Sequence, residues 1–263
     1  VRICRVRAGD EITYAAIDAL SDDLGITDET LVAFIDGHPF GDWSPQGSVA
    51  RARDVELLAP VIPSKIVGIG RNYRDHASEM GGEVPAEPLM FLKPSTSVIG
   101  PGDAIRIPWQ SEKAEHEAEL AIVIGRVCRD VPRERAAEVI FGFTCGNDVS
   151  ARDLQRADGQ WARAKGFDTF CPLGPWIDTE FDWTDAAISC TVNGEIRQSA
   201  NTGDVVFGVP DLIAAVTSVM TLLPGDVILT GTPSGVGPIV EGDTVAVTIQ
   251  SLGTLTNTVV DRG

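Results

Sequence analysis

The run Glu115-His116-Glu117-Ala118-Glu119-Leu120-Ala121-Ile122-Val123-Ile124-Gly125 constrains this chain more than any other segment. It has the period of a β-strand, with apolar Leu120, Ile122 and Ile124 on one face. Side chains repeat every second residue, so Glu117 and Glu119 leave the strand on the same side. Two residues of strand rise separate their Cα atoms by about 6.5 Å. Two like charges that close in an apolar strand repel each other and lose hydration. A shared cation is the simplest remedy. The pair alone suits a solvated strand face equally well.

The bulk composition narrows the partners. The chain has 263 residues and a net charge of −17. Such acidity disfavours nucleic acid and anionic membrane as partners, and it repels an anionic substrate unless a site concentrates positive charge locally. A bound metal could supply that charge. No run of about eighteen apolar residues occurs, so no transmembrane helix is expected. Val1 to Asp10 has no apolar core of a secretory leader. The five cysteines, Cys4, Cys128, Cys145, Cys171 and Cys190, include no CxxC pair. Free thiols in a reducing, cytoplasmic setting are expected, and a zinc site is not.

Read along its length, the chain divides near residue 60. Residues 1–60 form a small leading unit with strand-like runs at Val1–Arg7 and Glu11–Ile17. An acidic Asp22-Asp23 patch follows, and Ser44-Pro45-Gln46-Gly47 reads as turn material. Residues 61–263 form the body. Strands are expected at Lys65–Ile69, Leu89–Leu92 and Phe141–Asp148, with a helix starting at Pro132–Ile140 and the longest helix at Pro210–Leu222. Val192-Asn193-Gly194-Glu195 carries the Asn-Gly signature of a type I′ hairpin. Strands at Val227–Thr230, Val245–Ile249 and Leu255–Val260 close the chain. Many short strands and few helices make this an α+β, β-rich chain with a rolled or sandwich-like core.

Several residues could carry chemistry. Asp148, closing a strand, is the candidate third ligand beside Glu117 and Glu119. Three carboxylates without cysteine make a hard oxygen site suited to magnesium or manganese, with calcium possible. As a plain turn residue Asp148 is equally sensible. If Gly70–Gly82 turns into a helix, His76 and Glu79 share a face at i, i+3, and the carboxylate can raise the basicity of the imidazole. Gly81-Gly82 would then serve as a lid hinge. Lys165 could stabilise an oxyanion. Arg71, Lys93 and Arg152 could grip a substrate carboxylate. The backbone of Gly231–Pro238 and the Thr232 hydroxyl could form an anion nest. Each of these also fits a surface or turn residue without function. Gly68-Ile69-Gly70 lacks the third glycine of a dinucleotide loop, and Walker A, Gly-x-Ser-x-Gly and HExxH are absent. His38 reads as a loop residue.

Taken together, these motifs have a familiar order. Gly70-Arg71-Asn72-Tyr73 with His76 and Glu79, Phe91-Leu92-Lys93-Pro94, Glu117-x-Glu119, Asp148-x-x-x-Arg152-Asp153, Lys165 and Gly231-Thr232-Pro233 resemble the fumarylacetoacetate hydrolase family over residues 65–250, near its small bacterial, acylpyruvate hydrolase-like branch. The resemblance implies a mixed β-roll catalytic domain, a small N-terminal domain and a homodimer. It implies Glu117, Glu119 and Asp148 as ligands of magnesium or manganese. It also implies His76 with Glu79 as the water-activating pair on a lid, and Lys165 beside developing charge. Arg71, Lys93, Gln155 and Thr232 fall where relatives hold substrate, with Arg152 the remaining candidate. The substrate implied is a small anionic 2-oxo or 2-hydroxydienoic dicarboxylate, turned over through a metal-bound enolate. The leading reactions are isomerisation of 2-hydroxyhepta-2,4-diene-1,7-dioate and acylpyruvate hydrolysis, followed by oxaloacetate decarboxylation. A catalytically silent metal-binding protein is the alternative of another class. A glycosidase with paired carboxylates is a third, though one strand face suits a shared ion better than two sides of a sugar bond.

Overall fold

Short β-branched runs between glycine and proline turns become strands in this chain, as their composition favours. The structure is a computed structural model and describes residues 1–17, 26–79, 81 and 84–261. The leading unit supplies β1 (Arg2–Ala8), β2 (Glu11–Ile17), β3 (Leu31–Gly37), β4 (Trp43–Arg51) and β5 (Glu56–Leu58). The body begins with β6 (Ile66–Gly70), α1 (Arg74–Glu79), β7 (Leu89–Lys93), β8 (Val98–Ile99) and β9 (Ala104–Ile107). Its centre holds β10 (Ala114–His116), β11 (Ala118–Ile124), β12 (Ile140–Asn147), β13 (Ser150–Ala151), α2 (Arg152–Asp158) and α3 (Ala162–Lys165). It ends with β14 (Cys171–Asp178), β15 (Ala187–Val192), β16 (Glu195–Asn201), α4 (Val209–Val219), β17 (Val227–Leu229), β18 (Gly237–Pro238), β19 (Thr244–Ile249) and β20 (Gly253–Asp261).

The main sheet runs β4-β3-β2-β1-β14-β12-β11-β17-β6-β7, with β5 beside β1 and β8 beside β14. A second sheet, β16-β15-β19-β20-β9, packs on β11, β12 and β14. Pairing is mixed: β17–β6, β14–β8 and β20–β9 are parallel and the other ladders antiparallel. The roll follows from β11, which is buried on both faces. Leu120, Ile122 and Ile124 enter the core under the second sheet, while Ala121 and Val123 enter a second core with Leu173 and Val227. The leading strands pack Cys4, Val6, Ile17 and Val32 around Trp176 of β14.

Two expectations about strands are corrected, and one expected helix is present as a 3₁₀ helix. Ser44–Gly47 lies within β4 rather than in a turn. It is the sheet edge, where proline's missing N–H can face solvent, and the register shifts between Ala33 and Ile35 opposite Pro45. Pro132–Ile140 forms a 3₁₀ helix over Arg133–Val139, because Ile140 is drawn at once into β12. The run Glu115–Gly125 is two strands, broken at Glu117. The hairpin at Asn193-Gly194 holds, with φ values of 54° and 81°. The Asp22-Asp23 patch and Gly82 of the expected hinge lie outside the described residues. No helix among the described residues is long and apolar enough to cross a membrane.

Candidate active site

The break at Glu117 builds the site. Its N–H donates to the Asn147 side chain (3.0 Å) instead of a ladder partner, and its carbonyl accepts from the Asp148 N–H (2.9 Å). The Asn147-Asp148 corner thus clamps the kink and turns Asp148 toward it. One carboxylate oxygen from each of Glu117, Glu119 and Asp148 lies within 4.8 Å of the others, and all three residues are buried.

Cations surround this triad unevenly. Arg152 is buried, donates to Glu115 at 2.6 Å and also bonds Glu117 and Gln155. Lys165 Nζ donates to Glu117 (2.7 Å) and Asp148 (2.5 Å). Lys93 Nζ donates to Asp148 at 2.6 Å. Among the described residues the Glu119 carboxylate is left with a single hydrogen bond, from the Gly231 N–H at 2.6 Å. Burial works against a charge on every one of these groups. For Glu117, Lys165 and then Arg152 overcome it and hold the carboxyl well below the usual range. For Lys165, Asp148 and Glu117 overcome it and raise the ammonium. For Glu119, burial adds to repulsion from Asp148 and Glu117, and its carboxyl is pushed well up. Within the triad, Glu117 and Asp148 are each bonded to buried cations, and Glu119 is the one carboxylate with no cation bonded to it among the described residues. A hard oxygen-donor triad with one carboxylate that no cation bonds fits a divalent ion such as Mg²⁺ or Mn²⁺.

Above the triad opens a cavity of about 230 Å³. Arg71, His76, Glu117, Glu119, Arg152, Gln155, Lys165 and Thr232 all reach its wall. Three expected residues do not. Asp148 lies beneath the wall as the third carboxylate. Glu79 stands behind His76, with Oε2 3.2 Å from His76 Nδ1, and accepts from the Gly235 N–H at 3.2 Å. Lys93 lies deeper still. Its side chain is wholly buried at the end of β7 and donates to Asp148 and the Val149 carbonyl, so it anchors a carboxylate of the chain. In the 231–238 segment the Gly231 N–H donates to Glu119 and the Gly235 N–H to Glu79.

Sequence reasoning missed four supports. Gln198 bridges strand and loop: its Oε1 accepts from the Ala118 N–H (3.0 Å) and lies 2.9 Å from His116 Nδ1, while its Nε2 donates to Thr232 Oγ1 (2.7 Å) and the Pro233 carbonyl (2.8 Å). Thr232 in turn donates to the Ala118 carbonyl at 2.8 Å. Asn72 fixes the start of α1 through the Thr230 carbonyl and both backbone groups of Phe207. Trp161 lines the cavity, edge-on to Phe91 with centroids 5.4 Å apart, and Lys165 Nζ sits 4.9 Å above the Phe91 ring. Asn72 and Phe91 fall within the motifs quoted above without a role of their own, while Gln198 and Trp161 carry no signal in residue type or spacing. All five cysteines are buried and free, and burial pushes the thiols of Cys4, Cys145, Cys171 and Cys190 up to about 12, far from nucleophilic at neutral pH.

A family model for the fumarylacetoacetate (FAA) hydrolase C-terminal domain matches residues 65–260, and an Rv2993c-like N-terminal model matches residues 1–60. The chain belongs to the fumarylacetoacetate hydrolase family. Its mostly-β fold is that family's. It is 50% identical to protein Rv2993c of Mycobacterium tuberculosis, covering 100% of this chain and 99% of that one. It is 46% identical to the rat mitochondrial oxaloacetate tautomerase Fahd2a over 78% of this chain and 70% of the relative. Among solved structures, 5-carboxymethyl-2-hydroxymuconate delta-isomerase of Mycobacterium smegmatis is 48% identical with a TM-score of 0.92, each chain covered fully. The 2-hydroxyhepta-2,4-diene-1,7-dioate isomerase of Mycobacterium marinum is 46% identical with a TM-score of 0.91, at 100% and 99% coverage. A maleylpyruvate hydrolase from Sphingobium, 31% identical with a TM-score of 0.79 and 99% coverage of both chains, was solved with manganese(II) and pyruvate. Family members are thus hydrolases or isomerases of small organic acids.

Proposed function

We propose that this protein is a divalent-metal-dependent isomerase of a small 2-hydroxydienoic or 2-oxo dicarboxylate, of the 2-hydroxyhepta-2,4-diene-1,7-dioate type. The observation that carries this is a buried acidic triad and a His–carboxylate pair meeting at one cavity of about 230 Å³ that arginines also line. The similar isomerases and tautomerase move a proton within a conjugated keto acid, and this site has the parts for that.

Held by Glu117, Glu119 and Asp148, the ion would act as a Lewis acid toward negative charge on the substrate's 2-oxygen. His76 moves the proton. With Nδ1–H held on Glu79, its Nε2 is the nitrogen left to take the proton from the 2-hydroxyl and return it at C5. Glu79 stabilises the imidazolium formed between the two transfers. Lys165 directs two N–H groups at Glu117 and Asp148 and has a third for the substrate. Gln155 and Arg71 orient the acid, and the flat Trp161 wall suits a planar conjugated chain.

Acylpyruvate hydrolysis is the second reading. It is favoured by that third Lys165 N–H, placed to stabilise a tetrahedral oxyanion while His76 deprotonates water. Turnover of the heptadienedioate, acylpyruvates and oxaloacetate, assayed side by side with Mg²⁺ or Mn²⁺, separates the two. Isomerisation is expected to dominate. His76→Ala should slow it by about 10²- to 10⁴-fold. Full turnover by chelator-treated Asp148→Ala protein would refute the metal role.

A further inference from the structure

Helix α2 presents three polar side chains to the cavity at different depths. Positions 152, 155 and 156 are i, i+3 and i+4 and share one helical face, and all three line the cavity. Arg152 is buried and committed to Glu115, Glu117 and Gln155. Gln155 is half-buried, and Arg156 is exposed.

The guanidinium of Arg156 has no hydrogen bond or ion pair with any described residue, although acids surround it in sequence. Asp153 accepts from Ser111 Oγ (2.6 Å) and the Glu112 N–H (2.9 Å). Asp158 is paired with Arg163. Arg71, from the turn between β6 and α1, lines the same cavity and is likewise without a side-chain partner among the described residues. Its backbone is left-handed at φ 57°, a conformation unusual for a non-glycine residue. The three hydrogen bonds of Asn72 hold it there. In a chain of net charge −17, two guanidinium groups that line this cavity thus have no acid bonded to them among the described residues.

We propose that Arg156 is a specificity-determining residue which, with Arg71, receives the second carboxylate of a dicarboxylate whose 2-oxo acid end lies at the triad. This rests on the 2-oxo acid reading above and adds which residue reads the far end. A 2-oxo acid directs its carboxylate and 2-oxygen at the triad, so the far end of the chain extends toward the opening. A planar, permanently charged guanidinium fork matches a carboxylate there. A neutral far end leaves both arginines merely hydrated. Discrimination therefore comes from lost attraction and is moderate.

The test compares 2-oxoadipate with 2-oxohexanoate, six-carbon acids that differ only in the far carboxylate. Each is titrated calorimetrically into the wild-type protein and into Arg156→Gln, Arg156→Lys and Arg126→Gln in the presence of Mn²⁺. Arg126 is exposed and lies outside this cavity, so its variant controls for net charge. Arg156→Gln is expected to weaken 2-oxoadipate about 5- to 20-fold and to leave 2-oxohexanoate within about twofold. Arg156→Lys should recover part of the loss, and Arg126→Gln should change neither ligand. If Arg156→Gln weakens both acids alike, or neither, while wild type binds both, the assignment is overturned and the 2-oxo acid reading stands. If wild type binds neither acid, that reading fails and the assignment falls with it.

Discussion

Glu119 shows at the scale of one residue how a site trades stability for binding. It is buried beside two carboxylates, and among the described residues its carboxylate has one N–H for a partner. In the metal-free protein its raised carboxyl disfavours the charge that an ion requires. Removing that charge should therefore stabilise the empty fold. Glu119→Gln is expected to raise the melting temperature of chelator-treated protein by about 2–4 °C for each ~1 kcal/mol gained. It should also abolish the further rise that Mn²⁺ gives the wild type. Thermal scans with and without the ion check both halves. An unchanged metal-free midpoint would remove the argument that repulsion is stored there. Glu117 has the opposite sign. Its folded carboxyl is held below the ordinary glutamate value, so its contribution to stability is fully present above about pH 4.5. It is lost as pH falls below that value, because the unfolded chain takes up the proton first. Denaturant midpoints of metal-free protein should therefore decline below about pH 4.5, and less steeply in Glu117→Gln.

At the scale of elements, the site depends on turns that place backbone close to side chains. Gly231 has φ 101°, and a Cβ there would stand 2.6 Å from Asn72 Cβ. Gly231→Ala should cost about 1–3 kcal/mol. It should also weaken ion binding, since its N–H is the hydrogen bond to Glu119. Melting temperature and metal titration read the two effects separately. At Gly70 a Cβ would meet the Trp161 ring at 2.7 Å. Gly70→Ala is expected to raise KM several-fold with little change in kcat, because the ring it displaces walls the cavity without touching the proton-transfer groups. A fall in kcat at constant KM would contradict this placement. The elements themselves were largely legible. β1, β2, β6, β7, β12, the Asn193-Gly194 hairpin and α4 follow from period and turn chemistry. β4 was not, because an edge strand tolerates the proline and glycine that elsewhere mark a turn.

At the scale of the molecule, the leading strands belong to the same sheet as the site. β1 pairs with β14, and Trp176 of β14 is buried among leading-unit side chains. Phe40 reaches the core beside Val227 and stacks edge-on against Phe141 at 4.6 Å. Removing residues 1–60 would bare the β14 edge and this apolar face, an invitation to association. The 61–263 fragment is expected to aggregate on light scattering and to melt below the full chain. A monodisperse fragment with an unchanged midpoint would show that the two parts are independent.

The sequence by itself determined the local chemistry: which short runs are strands, that Glu117 and Glu119 point the same way, and that His76 and Glu79 share a helical turn. Period, turn residues and spacing are properties of neighbours in the chain, so they can be read there. Tertiary structure alone decided what each charge faces. It sent Lys93 beneath Asp148, gave Gly231 to Glu119, brought Gln198 across to Thr232 and left Arg156 without an acid among the described residues. Such pairings join residues tens to more than a hundred positions apart. Burial sets their strength, and burial does not exist until the sheets have packed.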